Sequence, residues 1–299
     1  MYKFYGYGIE IKSEINLKWW SQTKNEKINY IRLKLILIKK LCQLFDEDKL
    51  DMYGNPQVIN DKEETMVNWH KNLVFLIKKI ENEYLVLCYI DKKLSYNHIS
   101  LAMSGIVSAI INHKENHISF HGSCFADYKN SFVICGSSGS GKSTICSYLC
   151  CNGCDFISDD LCVIRKNEDN YICNNGINAI RVNSDILDII KSKKRIRKLY
   201  KNSHKYCIEQ ITSPIKKPLK AILLLVDSQK EFSYKRIENI KTYVKVLKYI
   251  FGVEKMNSME QIKIMKEMIN FDKIVFYEVF YPKCEFALDC IKKMLENIW

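Results

Sequence analysis

The sequence contains no apolar run long enough to cross a membrane. Its apolar runs, such as Ala221–Val226, fall far short of the roughly 20 residues that a membrane-spanning helix needs. The first residues, "MYKFYGYGIEIKSE", lack the apolar core and the small-residue cleavage site of a signal peptide. We therefore expect a cytoplasmic protein with no membrane partner.

The sequence also lacks a second pair of metal ligands to match its single C-x-x-C motif, Cys151 and Cys154. A structural zinc site would need that second pair. The chain has 13 cysteines. Most lie in apolar stretches, such as Cys88 in "YLVLCYI" and Cys162 in "LCVI", where a reduced thiol packs as a small hydrophobic group. We expect neither a zinc site nor a disulfide framework.

No recognised nucleic-acid-binding module accompanies the positive charge of the chain. The formal net charge is +12, and part of it lies in the basic run "KSKKRIRKLYKN". Its basic residues are Lys191, Lys193, Lys194, Arg195, Arg197, Lys198 and Lys201. A charge run of this kind is either a solvated surface or a docking site for an acidic polypeptide. We do not expect a nucleic-acid partner.

No internal repeat or low-complexity linker divides the chain, yet its two parts differ in pattern. Residues 1–112 predict a smaller α+β region, with strands in "KFYGYGIEIKS", "INYIRLKLILI" and "EYLVLCYI". The stretch "NHISLAMSGIVSAIINH" predicts a mostly buried helix. We expect residues 113–299 to form the second domain.

The second domain has a clear order of predicted elements. "HISFHGSCFAD" and "SFVICG" predict two strands, followed by a helix from about Gly141 to Cys151 that stops at Asn152-Gly153. The next strand is "CDFIS". Further strands are predicted in "LCVI", "YICN", "PLKAILLLVD" and "FDKIVFYEVFY", and an amphipathic helix in "EFALDCIKKMLENIW".

A phosphate-binding loop lies between the second of these strands and the helix. Gly136, Gly141, Lys142 and Ser143 satisfy G-x-x-x-x-G-K-[ST] in the strand–loop–helix context that the motif requires. Such a loop directs backbone N–H groups and a helix N-terminus at phosphate oxygens. We predict ATP binding, with a vestigial loop as the alternative. The predicted nucleotide-binding residues are Gly136, Ser137, Ser138, Gly139, Ser140, Gly141, Lys142, Ser143 and Thr144.

Two carboxylates, Asp159 and Asp160, follow on the very next strand, Asp160 coming 18 residues after Lys142. A pair can divide two tasks, since one carboxylate can hold Mg²⁺ and the other can take a proton from an acceptor hydroxyl. The alternative is an ordinary Asp-Asp β-turn. His121 ends the strand that a hairpin would return toward the loop, so it is either a γ-phosphate contact, an orienting group for an Asp, or a structural histidine.

The segment "FHGSCFADYKNSFVICGSSGSGKST…DFISDD" resembles the catalytic core of the HPr kinase/phosphorylase family, over roughly residues 115–230. The resemblance lies in the order of His-Gly, phosphate loop, one short helix and Asp-Asp. Segments such as "FYGYGIEIKSEINL", "AIRVNSDIL" and "PLKAILLLVD" also resemble the short HPr-kinase-like proteins found beside peptide natural-product genes, including lasso-peptide precursor kinases. The resemblance implies an α/β fold whose P-loop kinase domain has a mixed sheet, related to phosphoenolpyruvate carboxykinase.

The resemblance also implies roles for the site residues. It makes His121, Lys142, Asp159 and Asp160 catalytic, with Asp160 as the base and Asp159 supporting the base or the metal. The implied Mg²⁺ ligands are Ser143, Asp159 and Asp185, although Asp185 could equally be a residue at a helix N-terminus. Arg181 is implied as a phosphate contact.

The chain departs from the family at one charged position. The bifunctional enzymes carry an arginine before a late core strand, where this chain has "SPIKKPLKAILLL". Lys216 or Lys217 could substitute as a point charge, but lysine lacks the bidentate fork of arginine. We therefore expect kinase activity rather than phosphorolysis.

These observations predict an ATP- and Mg²⁺-dependent serine/threonine-type kinase that acts on a peptide or small protein. Whether the acceptor is acidic and whether the kinase forms a homo-oligomer are both left open by the sequence. A ribosomal peptide precursor is one such acceptor. One alternative is a kinase of a free small-molecule hydroxyl such as serine. Another is a nucleotide-binding scaffold that presents a peptide without phosphorylating it.

Overall fold

The computed structural model of the chain divides into two compact units, Met1–Ile111 and Asn112–Trp299. It describes residues 1–24, 30–39, 57–60, 64–70, 72–92, 94–184, 187, 196–198, 205–213, 216–227, 231–237, 240–252, 258–271 and 273–298.

The first unit contains a seven-stranded sheet in the order β1-β2-β3-β7-β6-β5-β4. Its strands are β1 Tyr2–Gly6, β2 Ile9–Ser13, β3 Ile31–Ile38, β4 Gln57–Asn60, β5 Glu64–His70, β6 Leu73–Ile80 and β7 Glu83–Ile90. The central strand β3 is parallel to β2 and β7, and the remaining pairs are antiparallel. Tyr7 and Gly8 both have positive φ, 53° and 77°, as the tight hairpin between β1 and β2 requires. The strands predicted in "INYIRLKLILI" and "EYLVLCYI" are confirmed as β3 and β7, whereas "KFYGYGIEIKS" forms the two strands of the β1–β2 hairpin rather than one strand.

The sheet is followed by the predicted buried helix, which is interrupted by a π-helical turn. Helix α1 spans Tyr96–Ala102, the π turn spans Met103–Val107, and helix α2 spans Ser108–Lys114. Gly105 has non-helical backbone angles within the π turn, so it marks a kink. Ile99, Ala102 and Val107 are completely or almost completely buried, which confirms the predicted burial.

The second unit is built on a mixed six-stranded sheet in the order β11-β9-β10-β17-β19-β18. The strands of this unit are β8 Ile118–Phe120, β9 Gly122–Ala126, β10 Ser131–Cys135, β11 Asp155–Ser158, β12 Cys162–Asn167, β13 Asn170–Cys173, β14 Ala179–Asn183, β15 Ile196–Lys198, β16 Lys205–Glu209, β17 Leu219–Asp227, β18 Ser233–Ile237 and β19 Val275–Tyr281. Strands β10, β17 and β19 are parallel to one another, whereas β9, β11 and β18 pair with antiparallel neighbours. The predicted mixed α/β architecture is confirmed.

Helices cover both faces of this sheet. They are α3 Lys142–Cys151, α4 Ile240–Leu247, α5 Ser258–Ile269 and α6 Glu285–Ile298. Helices α3 and α6 bury Ile145, Leu288 and Leu295 in one core, which confirms the predicted amphipathic C-terminal helix. Helices α4 and α5 bury Val246 and Ile264 in the core on the other face. Sequence analysis had not predicted α4 or α5.

Two smaller sheets complete the unit, in the orders β13-β12-β8 and β14-β16-β15. The second of them contributes Ile180, Val182 and Ile208 to the core that contains α3. Strand β14 is thereby placed close to the start of that helix.

The strand registers bring several loops to one edge of the six-stranded sheet. Cys135 at the end of β10 pairs with Gly122, and Ser158 at the end of β11 pairs with Cys124. Asp227 at the end of β17 pairs with Tyr281 at the end of β19. The residues that follow these strands therefore lie together, as ligand-binding residues do at the carboxyl ends of parallel strands.

None of the helices in the described part of the chain has the length and apolar character that a membrane span requires.

Candidate functional site

The loop between β10 and α3 has the backbone that its glycines predict. Gly141 precedes the helix with φ of 98°, a conformation that side-chain-bearing residues rarely adopt. A Cβ on Gly136 would lie 2.5 Å from Ser140 Oγ and 3.1 Å from Leu225 Cβ. Only glycine fits at that point, so the loop turns tightly around the N-terminus of α3.

The side chain of Lys142 lies within this loop. Its Nζ donates hydrogen bonds to the carbonyl oxygens of Gly136 and Ser137, each at 2.9 Å. Burial lowers the pKa of the ammonium group, while the nearby charges of Asp159 and Asp160 raise it. The lysine is thus held at the helix N-terminus, beside the backbone N–H groups that suit phosphate oxygens.

Asp159 connects the loop to strand β11 and is almost fully buried, with 3% exposure. Its Oδ1 accepts hydrogen bonds from Ser123 Oγ at 2.5 Å and from Ser143 Oγ at 2.8 Å. Its Oδ2 accepts one from the backbone N–H of Arg181 at 2.8 Å. Burial raises the pKa of this carboxyl group, and these hydrogen bonds oppose the increase. Asp159 therefore holds Ser143 in a fixed position.

Asp160 has a different environment, although it is the next residue. Its φ is 70°, in the left-handed region, and its side chain is 30% exposed and lines a pocket. The Arg181 guanidinium donates a hydrogen bond to Oδ2, and His121 Nδ1 lies 3.6 Å from Oδ1. Burial raises the pKa of the carboxyl group, but the charges of Arg181, His121 and nearby lysines outweigh it, and the pKa is lowered overall. The positive φ places Asp160 in a turn beyond the end of β11, and its side chain lines the pocket.

His121 is positioned by the segment that follows α4. Its backbone N–H donates to the Tyr249 carbonyl at 2.7 Å, and its ring lies 5.9 Å from that of Phe251 in an edge-to-face arrangement. Its Nδ1 lies 3.1 Å from the backbone oxygen of Asp160. The hairpin predicted from the sequence does return this histidine to the phosphate loop.

The pocket has a volume of about 430 Å³, within the range of small-molecule sites. The described residues that line it include the cations Lys142, Arg181, Lys205 and Lys283, together with His121 and one carboxylate, Asp160. This surplus of positive charge suits a polyphosphate.

The structure places the sequence-predicted residues as follows. Ser138, Gly139, Gly141, Lys142, Ser143 and Thr144 line the pocket with His121, Asp160 and Arg181. Gly136, Ser137 and Asp159 accept hydrogen bonds from the pocket residues Lys142 and Ser143, and Ser140 is buried at 2% exposure. Asp185 lies outside the described residues. So does most of the basic run, of which only β15 is described.

The two lysines considered as substitutes for the family's arginine do not line the pocket. Lys216 Nζ donates to Asn175 Oδ1 at 2.7 Å, and burial lowers its pKa to about 8. Lys217 Nζ donates to Asp155 Oδ2 at 2.8 Å and to the Asp127 carbonyl. Asp155 begins β11 and Asp127 follows β9, at the sheet edge away from the phosphate loop. That interpretation of the sequence was wrong because the turn before β17 opens at the other end of the sheet.

Sequence reasoning had missed several residues of the site. Ser123 could have been found, because residues two apart on a strand share a face and His121 was already a candidate. Lys283 follows the carboxyl end of β19, where the rule for parallel strands would have suggested it. Lys205 gives no local signal, since only the pairing of β16 with β14 brings it to the pocket.

The two cysteines that the sequence places in apolar stretches, Cys88 and Cys162, have the predicted environment. Cys88 and Cys162 are fully buried among apolar residues. Within the described residues, no cluster of three His, Cys, Asp or Glu side chains has an arrangement that could hold a metal ion.

No protein-family model matches this chain, and no curated protein is similar to it in sequence. Among solved structures, that of the Hpr(Ser) kinase/phosphatase from Coxiella burnetii is similar, with 11% sequence identity and a TM-score of 0.33. The similarity covers 60% of this chain and 94% of that one. A likeness at this level shows nothing about activity, and any function must be inferred from the site itself.

Proposed function

We propose that the chain is an ATP- and Mg²⁺-dependent kinase that transfers the γ-phosphate to a Ser or Thr hydroxyl of a peptide or small protein. One observation carries the proposal. Ser143 of the phosphate loop is hydrogen-bonded to the buried Asp159 at 2.8 Å, while the adjacent Asp160 faces the same pocket.

The hydrogen-bonded pair Ser143 and Asp159 suits the binding of a magnesium nucleotide. In P-loop enzymes, Mg²⁺ is held by the loop Ser or Thr and a nearby Asp. A carboxylate offers about four lone-pair sites, and three hydrogen bonds to Asp159 leave capacity for a cation. Mg²⁺ prefers such oxygen ligands and keeps several waters, so Ser143 and Asp159 are a sufficient protein contribution. The bound ion would neutralise charge on the β- and γ-phosphates.

Asp160 is suited to take the proton of the acceptor hydroxyl. The lowered pKa of Asp160, set by Arg181 and His121 against the effect of burial, keeps its carboxylate ionised at neutral pH. In the proposed step, the acceptor oxygen bonds to the γ-phosphorus and the bond from that phosphorus to the β,γ-bridging oxygen breaks. ADP leaves with that oxygen, and the hydroxyl proton passes to Asp160. Arg181 and His121 orient the carboxylate, and Lys142 holds the phosphates.

The class of acceptor rests on sequence rather than on geometry. The resemblance of "FYGYGIEIKSEINL" and "AIRVNSDIL" to short HPr-kinase-like proteins beside peptide natural-product genes supports a ribosomally made precursor peptide as the acceptor. The surplus of pocket cations supports an acidic one.

The test is incubation of the full chain with γ-labelled ATP, Mg²⁺ and a set of Ser- and Thr-containing peptides, with free serine in a parallel reaction. Mass spectrometry locates the phosphate, and peptides with Ala in place of Ser and Thr serve as blanks. Lys142→Ala should lower the rate of phosphate transfer by several orders of magnitude, because it removes the positive charge beside the β- and γ-phosphates. Lys220→Ala, an exposed change on β17, is the matched control.

Each outcome separates the proposal from its rivals. Label on a peptide hydroxyl that depends on Lys142 supports it. Label on free serine alone supports a small-molecule kinase instead. Tight Mg·ATP binding without transfer to any acceptor supports the nucleotide-binding scaffold.

A further inference from the structure

A second cavity lies in the second unit, and its described lining shares no residue with that of the nucleotide pocket. Its volume is about 200 Å³. A water molecule occupies about 30 Å³ in the liquid, so the cavity has room for a small metabolite but not for a nucleotide. The lining comes from the segment that enters β8, from strands β12 and β13, and from the end of α5.

One wall of this cavity is apolar and deeply buried. Ile118 and Ile164 are directly opposite each other in the pairing of β8 with β12, and both are almost fully buried. Tyr171 and Phe271 add an edge-to-face pair of rings whose centroids are 4.5 Å apart. All four side chains belong to the close-packed core that contains α4 and α5, so the wall is preformed. Such a wall suits an aliphatic group.

The polar part of the lining carries charges of both signs. Glu115 and Glu267 supply carboxylates, and Arg165 and Lys166 supply cations. Nε of Arg165 donates to Asn174 Oδ1 at 3.1 Å, which holds the plane of the guanidinium group. A guanidinium group held in this way is a usual partner of a carboxylate. The cavity can therefore receive an anionic group and a cationic group side by side.

His117 adds a neutral acceptor to the lining. Its Nδ1 lies 2.9 Å from Asn112 Oδ1. An amide oxygen only accepts hydrogen bonds, so Nδ1 carries the proton and Nε2 keeps a lone pair. Burial lowers the pKa of His117 to about 4, helped by the charge of Arg165, so the ring is neutral at neutral pH. An ammonium group can donate to such a nitrogen.

This balance of charge argues against two other classes of ligand. A phosphate or another polyanion would meet the carboxylates of Glu115 and Glu267. A divalent cation would meet Arg165 and Lys166, and within the described residues no three His, Cys, Asp or Glu side chains are arranged to hold a metal ion. A zwitterion matches both signs at once.

From this lining we propose that the cavity is a binding site for a free α-amino acid with an aliphatic side chain. Arg165 binds the carboxylate of the ligand. Glu267 and Nε2 of His117 accept hydrogen bonds from its ammonium group, and its side chain packs against Ile164 and Phe271. No bond forms or breaks at this site, and the assignment goes beyond the proposed kinase activity without depending on it.

The test is titration calorimetry of the full chain with L-leucine and L-valine, and with two analogues that each lack one charge. Leucine methyl ester has no carboxylate, and 4-methylpentanoate has no ammonium group. The variants are Glu267→Gln on α5 and Arg165→Gln on β12. Their matched controls are Glu296→Gln on α6 and Lys220→Gln on β17, which each remove one exposed charge elsewhere in the second unit. Thermal unfolding of each variant checks that it is folded.

The proposal expects both amino acids to bind, and each analogue to bind at least about tenfold more weakly than L-leucine. Glu267→Gln and Arg165→Gln should each lower the affinity for L-leucine about 10–100-fold, as loss of a hydrogen bond to a charged group does. The two control variants should bind L-leucine as the unaltered chain does. Saturation with Mg·ADP should not displace the amino acid.

Four results would overturn the assignment while leaving the proposed function intact. The first is no binding of either amino acid to the folded, unaltered chain. The second is equal binding of L-leucine and of either analogue, which needs no variant to fold. The third is unchanged affinity in the folded Glu267→Gln variant. The fourth is displacement of the amino acid by Mg·ADP, which would place it in the nucleotide pocket, as expected of an acceptor rather than of a ligand of a second site.

Discussion

Asp159 and Asp160 are consecutive, yet the fold gives them different environments. Asp159 is buried and accepts three hydrogen bonds from Ser123, Ser143 and the Arg181 backbone. Asp160 lies in the pocket, where the Arg181 side chain and His121 surround its carboxylate. Arg181 thus touches both, with its backbone on one and its guanidinium on the other. Asp160 has a left-handed φ of 70°, which places it in a turn beyond the end of β11.

The first prediction tests whether Asp160 is the base and Asp159 the Mg²⁺ ligand, as proposed, with the variants Asp160→Asn and Asp159→Asn. Removing the proposed base should lower the single-turnover transfer rate by about 10²–10⁴-fold. The affinity for Mg·ATP should hardly change, because Lys142, Ser143 and the loop still hold the phosphates. Asp159→Asn should instead raise the Mg²⁺ concentration needed for half-maximal binding. The measurement is Mg·ATP affinity and single-turnover rate for both variants over a range of Mg²⁺ concentrations.

Two outcomes would contradict these assignments. If excess Mg²⁺ restores transfer in Asp160→Asn but not in Asp159→Asn, the two roles are reversed. If neither variant slows transfer, the mechanism with paired carboxylates is wrong.

The second prediction concerns Lys216 and the pH dependence of stability. Burial lowers its pKa from 10.5 to about 8 in the folded chain. Below about pH 8 the amine is charged in both states, so the folded state carries the full burial cost. As the pH rises from 8 to 10.5, the folded state no longer binds the proton that the unfolded chain retains, and stability increases. The total change for this group is about 3 kcal/mol.

Lys216→Met should remove that increase. The measurement is urea unfolding of the variant and of the unaltered chain at pH 7, 8, 9 and 10. At each pH, the free energy of unfolding of the variant is compared with that of the unaltered chain. The variant's relative stability should be greatest at pH 7 and should fall toward pH 10, because other lysines and tyrosines titrate equally in both proteins. A constant difference across the range would show that the folded pKa of Lys216 is not lowered.

At the scale of single elements, the conformation of the phosphate loop depends on the close packing around Gly136. The third prediction is that Gly136→Ala impairs nucleotide binding, since its methyl group would lie 2.5 Å from Ser140 Oγ and 3.1 Å from Leu225 Cβ. Overpacking of this kind costs about 1–3 kcal/mol, and here it displaces the loop carbonyl that holds Lys142. Affinity for Mg·ATP, measured by titration, should fall together with thermal stability.

Gly153→Ala is the matched control. Gly153 follows α3 with φ of 101°, and a Cβ there would have no neighbour within 4 Å. Backbone strain should cost about 1 kcal/mol of stability without any change in nucleotide affinity. Equal nucleotide affinity in both variants would mean that the loop tolerates the added methyl group.

The strands and helices that could be predicted from the sequence are those whose local pattern is sufficient. β9, β10, β11 and β17 are short apolar runs bounded by turn residues, and α3 follows a loop motif that specifies its start. β18 was missed because it is an exposed edge strand, with polar side chains on both faces. Helices α4 and α5 were missed because their described side chains mix buried apolar residues, such as Val246 and Ile264, with exposed ones. Val244, Met259 and Ile269 are exposed and obscure the helical period.

At the scale of the whole molecule, the site combines residues from four distant parts of the second unit. His121, the phosphate loop and the two aspartates lie within one stretch of about 40 residues, so their spacing alone predicted that they would meet. Lys205 and Lys283 come from later segments that reach the pocket only through sheet pairing. Tertiary packing, rather than any local pattern, places them, and the sequence therefore predicted the two neighbouring carboxylates of the site but not its full set of cations.

The fourth prediction concerns the basic run, of which residues 191–195 lie outside the described part of the chain. Its described strand, β15, pairs with β16, which begins at the pocket residue Lys205. The run therefore enters the sheet β14-β16-β15, which contributes Arg181 and Lys205 to the pocket, and a long-range positive field there would draw in an acidic acceptor.

Changing Lys193, Lys194 and Arg195 to Glu should raise the apparent KM for an acidic peptide about tenfold at low ionic strength, since attraction becomes repulsion. The dependence of KM on salt should weaken or reverse, because screening acts over about 10 Å at 0.1 M salt. Affinity for Mg·ATP and KM for a neutral peptide should stay the same. The matched control changes the exposed Lys263, Lys266 and Lys293 to Glu, which alters the net charge equally but on α5 and α6. If both triple variants raise KM alike, net charge alone is responsible, and if neither does, the basic run is a solvated surface.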